Sequence, residues 1–536
     1  MMRSLRGLAA CVPLVIGLAG LVVCSAAEPL HKQIDTLVAA KAKGPMARRT
    51  SDAEFLRRSY LDLAGTLPTS NDTRNFLADT SPDKRAKLVD RLLKGPDYPS
   101  RMQELFNVML MERRGENPEW TEFLKRSFRE NKPWNQLVAE LLAPDAESEK
   151  SRGSAFFLTK RLENYGANPV DYPGMVRDVG RLFLGRDLEC ARCHDHPTIE
   201  GYHQVDYQGL FAFLSKTSIR SGLKFPAVKE TPFTMKIAFK SVFNGIESQT
   251  GPRLLGGKET VIPAFKKGEE YSTPPDRKKN TPGVLKISTL RLLSEQLPQS
   301  KGFSRNIANR LWFVMMGRGL VHPLDLHHAE NPASHPKLLD LLARELVAHK
   351  FDLKWMLREL ALSETYGRSS SLPEGAERVP AESFRVAIER PLSAEQMMRT
   401  MLHATGTTLA TTAEGKEPSE AEQLRKKFLS ALANPPREPE LDYSPTVRSA
   451  LFLHNDGQLL KWCEPHEGNL AARLSELANS PVLAEELYLS VLTRKPSDEE
   501  VAEVAEYLEQ NPQQRFKRIG HLIWALLAST EFNTNH

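Results

Sequence analysis

The sequence predicts a mainly α protein with two helical regions and a small β-containing insertion between them. Apolar residues recur at helical spacing over most of the 536 residues, between capping and terminating signals. That spacing fades over about residues 219–282, where alternation and recurring prolines and glycines replace it. Hydrophobic residues make up 40% of the chain and charged residues 26%, which indicates a folded protein and excludes a disordered one.

The helices of the first region are predicted from their ends and their apolar stripes. Ser51 and Glu54 have the spacing of a capping box, and they open a segment that Gly65 closes. A further helix is predicted at Trp134–Leu142, where a proline follows two residues later. Another is predicted at residues 176–184, and it leads directly into a pair of cysteines.

The insertion is predicted from its change of pattern. In residues 233–239 apolar and polar side chains alternate as they do in a half-buried strand. Residues 266–281 carry Gly, Pro and Lys without periodicity and are predicted to form a mobile linker. Helices resume at about Leu285, with Pro336 in the first turn of one helix and Ser497 opening another.

These changes of pattern divide the chain into four parts. They are a signal peptide at residues 1–27, a helical domain at 28–218, a β-containing insertion and linker at 219–284, and a second helical domain at 285–536. No fixed repeat period is apparent, so the sequence predicts two helical domains and excludes a repeat array.

The N-terminus carries the signals of export. Arg3 and Arg6 make a basic start, residues 14–23 form an uncharged apolar run, and residues 25–27 place small side chains where a signal peptidase needs them. We expect cleavage after Ala27, with an uncleaved anchor helix as the alternative. Because no later stretch is apolar enough to cross a bilayer, the cleaved chain is expected to have no integral membrane span. Its expected location is the periplasm, the cell surface or the extracellular space.

The charge balance speaks against polyanionic partners. The chain has 72 basic and 67 acidic residues, a net charge of +5. Loss of the two arginines in the first 27 residues leaves about +3. So weak a field predicts no nucleic-acid partner and no anionic membrane surface as partner.

Cleavage also removes two of the five cysteines and leaves Cys190, Cys193 and Cys463. An exported domain held together by disulfides would be much richer in cysteine. Two of the remaining three cysteines lie three residues apart beside a histidine, so this segment is the candidate functional site of the chain.

Cys190, Cys193 and His194 complete a C-x-x-C-H motif. In c-type haem attachment, two thiols at this spacing form thioethers with the two vinyl groups, and the adjacent histidine ligates the iron. Export agrees with such attachment, which occurs outside the bacterial cytoplasm. The preferred hypothesis is therefore one covalent haem c. Several residues are candidates for a sixth ligand of the iron: Met175, His203, His322, His327 and His328.

Two other interpretations of the motif stay open. In the first, Cys190, Cys193, His194 and His196 ligate zinc or another transition metal, for which thiolate and imidazole are suitable ligands. The four ligands would be crowded, and His203 and Asp206 could relieve this by supplying ligands from a following turn. In the second, the two cysteines form a disulfide or a reduced dithiol beside a surface histidine.

Residues around the motif resemble a known family. Residues 190–197 (CARCHDHP) and 204–213 (QVDYQGLFAF) are similar to the signature of a planctomycete-type domain of unknown function, family 1549, also described as cytochrome-like. Residues 58–69 (RSYLDLAGTLPT) and 87–93 (KLVDRLL) resemble the opening of the same family. The resemblance implies that the cysteine motif maps intact onto Cys190, Cys193, His194 and His196.

The second half resembles the usual companion of that domain, family 1553. The matching segments are residues 309–312 (NRLW), 317–321 (GRGLV), 331–336 (NPASHP), 351–354 (FDLK) and 524–532 (WALLASTEF). One departure concerns the segment after GRGLV. There this chain has Asp325-Leu326-His327-His328, where relatives tend to carry paired aspartates. If the acidic pair binds a cation or substrate in relatives, the resemblance implies that this protein differs from them. The alternative is that His327 and His328 themselves face the site.

Other residue clusters favour simpler interpretations. Asn309, Arg310, Trp312, Arg318 and Asp325 are close in sequence. They could line a cleft, but such residues more often form a buried Arg–Asp pair and a core tryptophan that tie two helices together. Cys463 and His466 form a lone C-x-x-H that is predicted to be structural. Motifs of the common hydrolases and nucleotide-binding folds are absent from the sequence.

The sequence therefore predicts an exported c-type haem-binding redox or electron-transfer protein with an unidentified redox partner protein. A haem-dependent oxidoreductase acting on an extracellular substrate is the enzymatic form of this hypothesis, and the size of the chain favours it. The alternative is a metal-binding structural or binding protein that uses the same motif without catalysis.

Overall fold

A computed structural model describes residues 28–163, 170–409, 419–438 and 446–536. The predicted signal peptide lies outside these ranges. The described residues are mainly α-helical, as the sequence predicts, and their strands form small antiparallel pairs. Among the helices in these ranges, none combines the length and apolar character that a bilayer span requires.

Fourteen of the described helices lie before residue 380. In chain order they are α1 (Leu30–Ala39), α2 (Asp52–Leu63), α3 (Ser70–Ala78), α4 (Lys84–Lys94), α5 (Asp97–Met111), α6 (Pro118–Arg129), α7 (Trp134–Leu142), α8 (Phe156–Leu162), α9 (Tyr172–Leu184), α10 (Gln204–Leu214), α11 (Thr289–Gln296), α12 (Lys301–Met316), α13 (Pro336–Ala348) and α14 (Leu353–Leu362). Short 3-10 turns lie at Arg152–Ala155, Cys190–Arg192, Leu297–Gln299, Ala381–Ser383 and Pro512–Gln514.

The remaining helices follow residue 390. They are α15 (Ala394–Thr405), α16 (Glu420–Leu432), α17 (Val447–Asn455), α18 (Gly457–Trp462), α19 (Leu470–Ser475), α20 (Ser480–Val491), α21 (Asp498–Glu509), α22 (Arg515–Leu527) and α23 (Thr530–Asn533). The paired strands are β1 (Thr217–Ile219) with β2 (Val228–Glu230), β3 (Ile237–Lys240) with β4 (Glu247–Thr250), β5 (Tyr271–Thr273) with β6 (Val284–Leu285), and β7 (Arg390–Pro391) with β8 (Thr534–Asn535).

Several predicted elements are confirmed by their local chemistry. The Ser51 side chain accepts a hydrogen bond from the backbone N–H of Glu54 and caps α2. Helix α7 has the predicted bounds, whereas α9 begins four residues before the predicted start because Asp171 caps it. The prediction of a linker throughout residues 266–281 is wrong at β5. That strand pairs with β6, a partner that local composition does not reveal.

Two hydrophobic cores account for the buried apolar residues. The first core runs from Leu30 to Phe384 and combines helices on both sides of the β-containing segment. Trp134 of α7 and Phe303 of α12, for example, stack with ring centroids 6.4 Å apart. The second core runs from Leu392 to Phe532 and also takes Leu61, from α2. The predicted domain bounds stay a prediction, and the packing adds that both predicted helical domains contribute to the first core.

A buried ion network joins α9 to α12. Asp325 accepts hydrogen bonds from Arg181 of α9, at 2.9 Å, and from Arg310 of α12. Arg181 also donates to Glu112, at 2.5 Å. The backbone N–H of Asp187 donates to the carbonyl of Asp325 at 2.9 Å, so the loop after α9 is fixed to the same residue. A buried Arg–Asp pair is thus present, with Arg310 as its arginine, and the predicted core residue Trp312 is fully buried.

Removing the carboxylate at the centre of this network is expected to be costly. Asp325→Ala leaves Arg310 buried without its carboxylate partner, and we expect a loss of about 3–5 kcal/mol in the free energy of unfolding. Urea denaturation measures the loss. The control is Asp340→Ala, which removes an exposed carboxylate paired with Arg305 and should cost less than about 1 kcal/mol. Equal losses for the two variants would contradict the role assigned to Asp325.

Candidate functional site

The cysteine motif follows α9 across a short, tightly packed loop. Helix α9 ends at Gly185, whose φ of 68° is in the left-handed region. A Cβ at Gly185 would lie 2.6 Å from Cδ2 of His327, so the close approach also requires glycine. Leu188 and Ala191 are buried on either side of Cys190, and they anchor the turn while its thiols face outward.

The two thiols of the motif are free and exposed. They belong to one 3-10 turn, in which the N–H of Cys193 donates to the carbonyl of Cys190 at 3.4 Å. The third cysteine, Cys463, is different because it is buried in the second core, and burial raises the pKa of its thiol to about 12. The C-x-x-H at Cys463 therefore has the structural character that the sequence predicts.

His194 is held in one tautomer by its neighbour. Its Nδ1 lies 2.7 Å from the backbone carbonyl oxygen of Asp195. A carbonyl oxygen can only accept, so Nδ1 carries the proton and Nε2 keeps its lone pair. This is the tautomer in which a histidine ligates a metal ion through Nε2, with the other ring nitrogen held by a hydrogen bond.

His196 is held in the opposite way. Its Nδ1 accepts hydrogen bonds from the backbone N–H groups of Ile199, at 3.0 Å, and Thr198, at 3.3 Å. An Nδ1 that accepts leaves the proton of the neutral ring on Nε2. In this arrangement neither nitrogen of His196 offers a lone pair to a metal ion. Its local role is to close the turn after the motif.

Helix α10 and the β3–β4 hairpin fix the motif from the other side. The carboxylate of Asp195 accepts from the N–H of Gln204 at 2.7 Å and so caps α10. The Gln204 side chain donates to the carbonyls of Arg192, at 3.3 Å, and Lys240, at 3.2 Å. The N–H of Val242 donates to the carbonyl of Cys193 at 3.2 Å. The hairpin and the motif are therefore bonded to each other directly and through Gln204.

The tip of this hairpin is apolar and exposed. Val242, Phe243 and Ile246 expose 66%, 72% and 60% of their surface. Phe243 lies against the ring of His194, with ring centroids 4.1 Å apart. Large apolar side chains at such exposure, grouped in one place, mark a surface that another apolar group covers.

A groove of about 430 Å³ opens beside Cys193. Its volume is within the range of small-molecule sites, about 300–1,000 Å³. Aromatic rings form much of the wall, and the thiol of Cys193 is at its edge. The groove is lined by Tyr172, Pro173, Arg192, Cys193, Gln204, Tyr207, Gln208, Phe211, Phe239, Lys240 and Val242.

The segment with the two neighbouring histidines packs against the loop before the motif. The N–H of His327 donates to the carbonyl of Gly185 at 2.9 Å, next to a β-bridge between Arg186 and Leu326. The ring of His328 makes an edge-to-face contact with the ring of Tyr202, with ring centroids 5.8 Å apart. The ring of His196 contacts Tyr202 as well, at 6.1 Å. His328 and His196 thus contact the same tyrosine ring.

Tyr202 is the residue that the sequence analysis missed. It is 3% exposed, lies between His196 and His328, and has the guanidinium of Arg186 over its ring at 5.6 Å. Burial raises the pKa of its phenol to about 12. No spacing or motif identifies it, because its partners are more than 100 residues apart in the chain.

His327 is buried and has a structural partner. Its Nε2 lies 3.3 Å from the side-chain nitrogen of Asn309, which fixes Nε2 as the acceptor. Burial lowers the pKa of the ring to about 3, so His327 is neutral at physiological pH. Its lone pair is already used, and it belongs to the packing between α12 and the loop after α9.

The other predicted ligands are dispersed. Met175 is buried in the first core, His322 stacks on Phe313, and His203 lies 3.5 Å from the carboxylate of Asp195. Asp206 is buried and accepts from the N–H of Gly256 at 3.0 Å, which gives it a structural role. Within the described residues, no three His, Cys, Asp or Glu side chains converge in an arrangement that could hold a metal ion.

The fold and the site define a class of protein: mainly α chains in which an exposed cysteine–histidine turn lies beneath a small hairpin. Comparison with protein families then gives two matches. Residues 33–219 match PSCyt2, described as a protein of unknown function (DUF1549), and residues 296–440 match PSD1, described as a protein of unknown function (DUF1553). The chain belongs to the proteins that pair these two domains, as the sequence analysis predicts. Neither the curated proteins nor the solved structures include a match.

The thiols are expected to differ in reactivity. In the reduced, cofactor-free chain that starts at Glu28, Cys190 and Cys193 should react rapidly with a disulfide reagent, since both are exposed. Cys463 should react only after unfolding, because its thiol is buried and rarely ionised. Absorbance counts the thiols with and without guanidinium chloride. A Cys463→Ala variant should lose the slow thiol alone, and fast labelling of Cys463 would contradict its burial.

The neutral state of His327 is expected to appear in the pH dependence of stability. The unfolded chain binds a proton at this histidine near pH 6.5, whereas the folded chain does so only near pH 3. Because of this difference in pKa, lowering the pH from 7 to 5 should reduce the free energy of unfolding by about 2 kcal/mol through His327. His327→Gln keeps an acceptor for Asn309 and should abolish this part of the slope. Denaturation at both pH values tests this, with the exposed residue His349→Gln as control. Equal slopes in all three proteins would refute it.

Proposed function

We propose that this protein is an exported c-type haem-binding redox protein, which attaches one haem through Cys190 and Cys193 and ligates the iron through His194. The observation that carries the proposal is the pairing of two free, exposed thiols in one turn with a histidine whose Nε2 lone pair is available. These are the three groups that covalent haem attachment uses.

The surroundings of the motif fit a large apolar cofactor. The hairpin tip presents Val242 and Phe243 next to Cys193 and His194, and a haem bound there would cover side chains that are otherwise exposed to water. The aromatic groove beside Cys193, which the same hairpin helps to line, adds further apolar surface. Such cover also excludes water, which is one of the ways in which a protein raises a haem reduction potential.

The chain's own residues supply orientation. Asp195 fixes the ring of His194 through its carbonyl oxygen and caps α10 through its carboxylate. Gln204 binds the backbone of the motif at Arg192 and that of the hairpin at Lys240. A bound haem would supply one-electron transfer, and transfer to a partner protein is the minimal function that we propose. Oxidation or reduction of an extracellular substrate would extend this function.

The alternative is a metal-binding protein without catalysis that uses Cys190, Cys193, His194 and His196. The hydrogen bonds at Nδ1 of His196 speak against it, since ligation by this ring would require them to break or the proton to leave Nε2. The two functions therefore make different demands on His196, and this difference makes them separable by experiment.

Covalent attachment is tested first. The full chain is produced in a bacterial host with haem-attachment machinery, and intact mass and a pyridine-haemochrome spectrum are recorded on the denatured protein. We expect the added mass of one haem, and its loss in Cys190→Ser with Cys193→Ser. The apoprotein mass without visible absorption would refute the haem proposal, and elemental analysis for zinc, copper and iron would then test the alternative.

Matched histidine variants test the ligand assignment. His194→Ala should abolish the low-spin spectrum of the attached haem, because it removes the axial ligand. His196→Ala should leave that spectrum unchanged, because the ring of His196 already binds backbone N–H groups. An unchanged spectrum in His194→Ala would contradict the axial role. A loss of bound metal in both variants, without haem, would favour the metal site.

Export rests on residues 1–27 and is part of the same proposal. A fusion of these residues to a reporter enzyme that is active only outside the cytoplasm tests it. Activity of the fusion, with cleavage after Ala27, is the expected result. Replacement of the apolar run by charged residues should retain the reporter inside the cell.

A further inference from the structure

A partly open cavity lies between the two cores, remote in sequence from the cysteine motif. Its volume is about 340 Å³. One wall is formed by α5 and the end of α12, and the opposite wall by the segment around β7 together with α15 and the end of α16. The volume is at the lower end of the range of small-molecule sites, about 300–1,000 Å³. A ligand there would contact both cores.

The charged groups around the cavity are mostly paired. Arg390 donates two hydrogen bonds to Asp62, both at 3.0 Å. Arg113 forms two hydrogen bonds with Glu395, at 2.9 and 3.1 Å. Arg399 forms an ion pair with Glu104. Three carboxylates are therefore matched by three guanidinium groups.

Arg101 is the cavity arginine that has no carboxylate partner in these three pairs. It lines the cavity and is 7% exposed. Its Nε donates a long hydrogen bond, 3.4 Å, to the backbone carbonyl of Asp62. Its Nη1 and Nη2 make no hydrogen bond to any residue in the described part of the chain. Burial lowers the pKa of Arg101 to about 10, so the group stays charged at neutral pH.

The carboxylates nearest to Arg101 are already engaged. Asp62 accepts from Arg390, from the hydroxyl of Tyr366 at 2.9 Å and from the Asn535 side chain at 2.8 Å. Glu104 is paired with Arg399, and burial raises the pKa of its carboxyl group. The guanidinium of Arg101 therefore has carboxylates nearby, but none of them is bound to its Nη atoms. An anionic group in the cavity would supply that partner.

Apolar side chains form much of the rest of the cavity wall. They include Leu105 and Val108 on α5 and Phe313 and Val314 on α12, and polar residues complete the lining. A third carboxylate of the lining, Glu389, is exposed to water, whereas the guanidinium of Arg101 is buried. A buried positive charge beside apolar side chains matches a ligand with one negative charge and an apolar body. The carboxylates of the lining would oppose a second negative charge.

We propose that this cavity binds a small organic monocarboxylate, with its carboxylate on the guanidinium of Arg101 and its apolar chain along α5 and α12. A guanidinium with two free N–H groups binds a carboxylate through two parallel hydrogen bonds, which is the strongest neutral-pH pairing available to it. The proposal is independent of haem attachment, since none of the cavity residues belongs to the cysteine motif.

Calorimetric titration with three probes tests the proposal on the full exported chain. Sodium hexanoate combines a carboxylate with an apolar chain, hexan-1-ol keeps the chain, and sodium acetate keeps the carboxylate. We expect saturable binding of hexanoate at least about tenfold tighter than that of either other probe. Absence of saturable hexanoate binding at millimolar concentration would overturn the proposal, and so would equal binding of hexanol.

Two variants and a control assign the binding to this cavity. Arg101→Gln should weaken hexanoate binding at least about tenfold and leave hexanol unchanged, because only the charged contact is lost. Val108→Phe narrows the cavity without touching Arg101, and it should weaken hexanoate and hexanol together. Arg344→Gln removes an exposed guanidinium and should change neither. If Arg101→Gln does not fold, Val108→Phe decides, and unchanged hexanoate binding in Val108→Phe would refute the site.

Discussion

The carboxylate of Asp325 is the constraint on which the site depends. It binds Arg181 of α9 and Arg310 of α12, while its backbone carbonyl binds the loop that leads to Cys190. Both arginines are buried, so neither can exchange this partner for water. Helices from the DUF1549 and DUF1553 parts are thereby held at one relative position. The exposed turn of the motif is held in place in the same way, because only a few residues separate it from Asp187.

The same contact explains how the second domain reaches the motif. Once Asp325 is fixed, the next residues run antiparallel to residues 185–187, which buries His327 and places His328 on Tyr202. Tyr202 in turn contacts His196.

Local signals predicted much of the fold, and non-local contacts account for what they missed. The cap at Ser51, the helix Trp134–Leu142 and a buried Arg–Asp pair are each fixed by neighbours in sequence or by a pairing rule, and the structure confirms them. Strand β5 and Tyr202 depend on partners that composition does not mark. The protonation of His194 and His196 is also beyond sequence reasoning, because a hydrogen bond to one backbone group decides which ring nitrogen is available.

The large scaffold is divided into two hydrophobic cores that meet at helix α2. Helix α2 contributes to the first core and, through Leu61, to the second, and its Arg57 donates to the carbonyl of Phe532 near the C-terminus at 2.6 Å. Strand β8 pairs with β7 at the same junction. The C-terminal helices therefore close the side of α2 and α5 that faces away from the motif. The cavity with Arg101 lies at this closure, where two separately packed cores meet without filling the space between them.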